Sequence, residues 1–184
     1  MPPADRFSRR RFLSRSAVLG AAAAPYLLTR SAPAVPGETS ANDKIRVGVI
    51  GCGTLAMGWH FPELAKQPDV VVTAVCDVQK DRLDKAVEIC KGTAKPYADY
   101  REVLASDDVD AVVIVTPPHW HALMAVHAAE AKKDFYVEKP MTIHLGESLA
   151  VARVVRKHNV ITQVGTQIHA SDNYRRVVEL VRSG

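Results

Sequence analysis

Residues 47 to 56 read Val-Gly-Val-Ile-Gly-Cys-Gly-Thr-Leu-Ala, a G-x-G-x-x-A pattern directly behind the apolar run Ile45 to Ile50 and at the head of a helical stretch. Few sequence features restrict a fold as tightly. Gly51 permits a tight strand-to-helix turn, Gly53 leaves no Cβ where a pyrophosphate would approach, and Ala56 lets the helix lie close to the strand. The N–H groups at the helix start, around Thr54 and Leu55, would then face the phosphates. Asp77 ends a second apolar run, Val70 to Cys76, 21 residues beyond Ala56. There it can accept both ribose hydroxyls of an adenosine and would meet a 2′-phosphate with its own charge, so NAD is expected before NADP. Lys80 nearby keeps NADP open. The plainer alternative is an ordinary strand-to-helix turn with Asp77 as a helix cap.

The rest of the chain is patterned to match. Ala111 to Val115, Phe135 to Val137 and Val160 to Val164 read as three more buried strands. Between strands, Leu83, Ala86, Val87 and Cys90 fall at i, i+3, i+4 and i+7 with charged residues opposite, and Ala122 to Ala131 and Glu147 to Lys157 read as further helices. Nearly all-apolar strands separated by helices require a parallel sheet covered on both faces, which is the doubly wound α/β class. Tyr174, Val177, Val178 and Val181 give one more amphipathic helix before the pair Ser183-Gly184. Its apolar face has nothing after it to pack on, so residues 166–184 are expected to be the first helix of a truncated second domain.

Residues 1–34 differ from the body of the chain. They hold six arginines and one acid, leaving 18 basic and 19 acidic residues in the remainder, so the formal +4 belongs to the leader and gives no reason to expect a nucleic-acid partner. Ser8-Arg9-Arg10-Arg11-Phe12-Leu13, an apolar stretch from Ala17 to Leu28, and Ala32-Pro33-Ala34 have the n-region, h-region and cleavage site of a signal peptide. The stretch is well short of the roughly 20 residues that span a bilayer. The paired arginines before Phe-Leu resemble the twin-arginine signal, with Ser14 in place of its final lysine. Export by the twin-arginine machinery to the periplasm or another extracytoplasmic space is therefore expected, followed by a linker at 35–43 and a nucleotide-binding domain at 44–165. A disordered basic arm is the alternative.

At Thr116-Pro117-Pro118-His119-Trp120-His121 and Phe135-Tyr136-Val137-Glu138-Lys139-Pro140 the sequence resembles the glucose-fructose oxidoreductase, inositol dehydrogenase and rhizopine catabolism family (Gfo/Idh/MocA). Asp99-Tyr100-Arg101-Glu102-Val103-Leu104 and Val164-Gly165-Thr166-Gln167 match as well, and the resemblance covers residues 44–184. It implies a nicotinamide-dependent oxidoreductase with a Rossmann domain and a second α+β substrate domain, here essentially missing. It also implies that Thr116, Pro117 and His121 line the nicotinamide-ribose side, that Glu138 holds the ribose, that Gln167 belongs to the cofactor site, and that Lys139 stands beside the nicotinamide. Full-length relatives of this kind are expected to form homo-oligomers.

Chemistry supports Lys139 independently. A hydride leaves a carbinol carbon only as its hydroxyl loses a proton, so the site needs a group that stabilises the developing alkoxide and relays that proton, as an ammonium at a strand's carboxyl end can. A solvated Glu-Lys pair before a turn proline is the plain alternative. His119, His121 and His127 raise a metal site, but no Asp, Glu or Cys stands at ligand spacing beside them and no metal is expected. Trp59 and Trp120 read as packing residues. Cys52, Cys76 and Cys90 are odd in number and form no C-x-x-C, so no disulfide framework is expected. The family resemblance implies a carbohydrate, polyol or inositol as substrate. A glycoside hydrolase that oxidises its substrate transiently, and a non-catalytic nucleotide-binding fragment, remain as alternatives.

Overall fold

The structure, a computed structural model, describes residues 44–167 and 172–184. The leader and the linker expected over 1–43 lie outside the described residues. Six parallel strands form one sheet: β1 (Ile45–Ile50), β2 (Val70–Cys76), β3 (Lys95–Tyr97), β4 (Ala111–Ile114), β5 (Asp134–Glu138) and β6 (Thr162–Gly165). Their order is β3-β2-β1-β4-β5-β6, the doubly wound arrangement in which the chain reverses its direction of travel between β1 and β4.

Because side chains alternate across a strand, each all-apolar run feeds two cores. Val47, Val49, Val75 and Val113 point to one, where Cys52, Ala56, Phe61 and Ala86 join them. Ile50, Ala74, Cys76, Val112 and Ile114 point to the other, against Val103, Leu104, Ala125, Ala128 and Val151. On the first face lie a π-helical turn (Ala56–His60) running into α1 (Phe61–Ala65), and α2 (Lys80–Ile89). The second face is covered by α3 (Tyr100–Ala105), α4 (Pro118–Glu130) and α5 (Leu145–His158).

Local chemistry sets the helix ends. The Asp99 carboxylate caps α3 by accepting the Arg101 N–H at 2.9 Å. A capping box joins His144 and Glu147 at the start of α5, where backbone N–H donors hold the Glu147 carboxyl below its usual range. Asn159, with φ 54°, ends the same helix in the left-handed region. The π turn has a cause in Pro62, which lacks the N–H that an α-helix would direct to Gly58; instead the Phe61 N–H reaches back five residues to Ala56 O.

Two elements are too short to give a readable period in the sequence: β3 has only three residues and α3 six. α4 begins at Pro118, four residues before the periodic stretch, because proline suits a helix's first turn. The last helix, α6 (Asp172–Ser183), forms as expected, and Tyr174, Val177, Val178 and Val181 are all exposed. Trp59 and Trp120 are about half exposed rather than buried in packing: the π turn turns Trp59 outward, and Trp120 sits at the mouth of the cleft described next.

Candidate active site

Parallel strands end together, and where their order reverses the flanking loops part, leaving a crevice at the carboxyl edge of the sheet. Here it is a cleft of about 750 Å³. The loop after β1 supplies Gly51, Gly53, Thr54 and Leu55, Asp77 directly follows β2, the loop after β4 supplies Thr116 and Pro117, and β5 ends in Glu138 with Lys139 next. Residues read from separate motifs thus line one cleft.

The glycine loop is held by the sheet itself. Gly51 has φ +95°, and a Cβ there would come within 2.8–2.9 Å of the backbone of Val115 and Thr116. At Gly53 the nearest atom to an added Cβ would be Arg82 Nη1 at 3.8 Å, so that side of the loop opens to the cleft with room for a phosphate. Asp77 braces the loop: Oδ2 accepts the Cys52 N–H and Oδ1 the Gln79 N–H, both at 2.8 Å. Each oxygen keeps acceptor capacity toward a ribose. Burial, with the Asp77 charge behind it, pushes the Cys52 thiol up to about 12, and burial does the same to Cys76. Among the described residues all three cysteines are free.

At the other end, the Lys139–Pro140 bond is cis and Lys139 lines the cleft. The Glu138 carboxylate behind it is 3% exposed. Its Oε1 receives His60 Nε2 at 3.0 Å, the Tyr136 hydroxyl at 3.3 Å and Gln167 Nε2 at 2.5 Å, while Oε2 accepts the Lys139 N–H at 3.0 Å. Acceptor capacity for a ribose hydroxyl is therefore left on Oε2. Burial, then the Glu138 charge, raises the Tyr136 phenol to about 12.

His121 is 1% exposed, and its ring lies between two carbonyl oxygens, with Nε2 2.7 Å from Thr116 O and Nδ1 2.8 Å from Pro140 O. The ring is packed between the loop after β4 and the loop after β5, and as a neutral imidazole it donates its one N–H to one of these two carbonyls. Ala56 is fully buried under the glycine loop, and Gln167 sits behind Glu138. Neither lines the cleft, so any part they have in cofactor binding is through the residues they support.

Four contributors to this region had no site role from the sequence: Arg82, His60, and Asp99 and Arg101, which stood there only as part of the motif Asp99 to Leu104. Arg82, on the first turn of α2, lines the cleft near Gly53 and Asp77, as does the Asp99–Arg101 ion pair. Lys80, read as an invitation to NADP, is instead paired with Asp84 at 2.7 Å along the helix. His60 is the fourth. Its signal was available, since i, i+4 spacing from the buried Ala56 puts it on the inward face of the turn.

Comparison with known proteins decides the lineage. The family described as "Oxidoreductase family, NAD-binding Rossmann fold" (GFO_IDH_MocA) matches residues 45–166. The chain belongs to the Gfo/Idh/MocA oxidoreductase family. A glycosyl hydrolase family 109 protein of Shewanella pealeana is 31% identical in an alignment covering 97% of this chain and 43% of that one. Among solved structures, the 3-ketoreductase KijD10 from Actinomadura kijaniata, in complex with NADP and TDP-benzene, superposes with a TM-score of 0.71 at 30% identity over 77% of this chain and 43% of its own. The scyllo-inositol dehydrogenase of Lactobacillus casei, with bound NAD(H) and scyllo-inositol, gives 0.70 at 28% identity over 77% and 42%. The chain spans about two fifths of the length of the curated relatives it matches. In Gfo/Idh/MocA terms, the described residues hold the NAD-binding Rossmann fold.

Proposed function

We propose that this chain is the cofactor-holding part of an exported, nicotinamide-dependent oxidoreductase that acts on a sugar, polyol or inositol. The observation that carries the reading is that Lys139 shares a single cleft with Gly51, Gly53 and Asp77. A dinucleotide fits that cleft by the test of its donors and space: Gly53 opens toward it, and Asp77 and Glu138 each keep acceptor capacity at opposite ends. Asp77 would hold the adenosine ribose, the N–H groups near Thr54 and Leu55 the phosphates, and Thr116, Pro117 and Glu138 the nicotinamide end.

When bound, the nicotinamide supplies the hydride acceptor or donor. Lys139 stabilises the negative charge that builds on the substrate's carbinol oxygen and passes its proton on, and His121 keeps the two flanking loops in register. The relatives solved with NADP or NAD(H), one of them holding scyllo-inositol, support a cyclic polyol or sugar as the substrate class. The Shewanella relative favours a second outcome, transient oxidation of a glycoside that ends in hydrolysis. Oxidation of one carbohydrate paired with reduction of a second, or transient oxidation and re-reduction of one glycoside, returns the cofactor to its starting state, which an enzyme outside the cytoplasm requires because free NAD is not supplied there. Homo-oligomerisation is part of the same proposal.

The export part of this reading rests on the paired arginines Arg9 and Arg10 and the short apolar stretch behind them. Changing Arg9 and Arg10 together to lysine is expected to leave the protein in the cytoplasm; continued export would remove the twin-arginine reading. For the chemistry, protein purified after native export is titrated with sugars while the reduced-nicotinamide absorbance of bound cofactor is followed. Cycling with a carbohydrate is expected. Release of an aglycone from a glycoside with no net absorbance change would select hydrolysis, and bound cofactor that answers no sugar would make the chain a nucleotide-binding module.

A further inference from the structure

A carboxylate nearly out of reach of water must be met by donors from the protein, and the elements that supply them become tied to each other. Glu138 is such a carboxylate, at 3% exposed. Three elements converge on its Oε1: the π turn through His60, β5 through Tyr136, and the segment after β6 through Gln167. Its Oε2 holds the Lys139 N–H. Among these donors only His60 comes from the glycine-loop side of the cleft. Its ring also meets Tyr136 edge-on, with centroids 5.5 Å apart.

The backbone supports this placement. The π turn from Ala56 to His60 follows directly on Thr54 and Leu55, which line the cleft, and His60 is the turn's last residue. One continuous path therefore runs from the glycine loop through His60 Nε2 and the Glu138 carboxylate to the Lys139 amide. We propose that His60 is a positioning residue, registering a dinucleotide seated on the glycine loop against the side chain of Lys139. This rests on the reading of Lys139 as the residue beside the nicotinamide.

The test pairs a readout that needs no cofactor with one that does. In the cofactor-free chain, His60→Phe keeps a ring against Tyr136 but removes the donor, and is expected to speed hydrogen exchange of the Lys139 amide about tenfold relative to Val137, the scale of one lost hydrogen bond. NADH affinity, followed by fluorescence, is expected to fall by a similar factor. His60→Gln returns a donor at nearly the same reach and should restore both. In the unsubstituted chain, the ring nitrogen signals of His60 should show a proton on Nε2, a measurement that holds even if His60→Phe does not fold. Unchanged Lys139 exchange in His60→Phe, no rescue by Gln, or an unprotonated Nε2 would each overturn the proposal. If instead the exchange pattern holds but the unsubstituted chain binds no NADH, the proposed function fails while the link from His60 to Lys139 stands.

Discussion

Gly51 carries two separate demands, a left-handed φ and the absence of any atom where Val115 and Thr116 pass. Substitution by alanine meets both penalties, and the backbone atoms it strikes cannot swing away. Gly51→Ala is expected to cost about 2–4 kcal/mol of stability, combining a strained φ with a steric shift, and denaturant unfolding measures it. Gly53→Ala has room and should leave stability within about 1 kcal/mol while weakening dinucleotide binding, because its Cβ faces the cleft. Equal losses of stability at both sites would remove the distinction. The thiols give a second check: Cys52 and Cys76, raised to about 12 by burial, should resist alkylation at about pH 8 until the chain unfolds. At this scale the placing of Gly51, Gly53, Asp77 and Lys139 on one cleft was legible because each stands just after a strand. For His60 the spacing gave the inward face but not the partner, Glu138, which lies 78 residues along the chain, and Arg82 meets the glycine loop only once the sheet has formed.

Elements with a long apolar period were readable, and those fixed by single contacts were not. β1 and β2 match their sequence bounds because long, nearly unbroken apolar runs admit few alternatives, whereas β3 exists because Lys95, Pro96 and Tyr97 find register with Ala74, Val75 and Cys76. The start of β1 is tied to the turn before β4 by Arg46 and Asp110, whose side chains meet at 2.5 and 3.0 Å. That guanidinium holds the Asp110 carboxyl below its ordinary range. The folded value therefore lies below the unfolded one of about 3.9, so the stabilisation is full above that pH and is lost as pH falls through the folded value. Both side chains are about 40% exposed, so solvent screens the pair and keeps the effect small. Asp110→Asn should lower the melting temperature slightly at pH 7 and converge on the unsubstituted chain in strong acid. A difference that persists there would mean that packing, not charge, joins the two elements. Between β5 and β6, Gly165→Ala would drive a Cβ into the Tyr136 hydroxyl and to 3.0 Å from the Glu138 carboxyl carbon. NADH affinity should fall with it, since the carboxylate must shift.

Across the whole molecule, a ligand that spans the cleft draws on loops from β1, β2, β4 and β5 that meet only in the folded chain, so its binding free energy adds to stability. A dinucleotide at about a hundred times its Kd adds about 2.7 kcal/mol, or on the order of 8 °C in melting temperature for a domain of this size. Which dinucleotide does so more strongly depends on charge at the adenosine end. Asp77 would face a 2′-phosphate with like charge, Lys80 is paired with Asp84 and Arg101 with Asp99, and Arg82 is the remaining cation lining that end of the cleft among the described residues. NAD is accordingly expected to raise the melting temperature more than NADP at equal concentration. Asp77→Asn, which removes the charge but keeps an oxygen acceptor, should narrow the gap. If NADP stabilises the unsubstituted chain more, Arg82 outweighs Asp77, and Arg82→Ala must then reverse the order; if it does not, the adenosine end has been placed at the wrong side of the cleft.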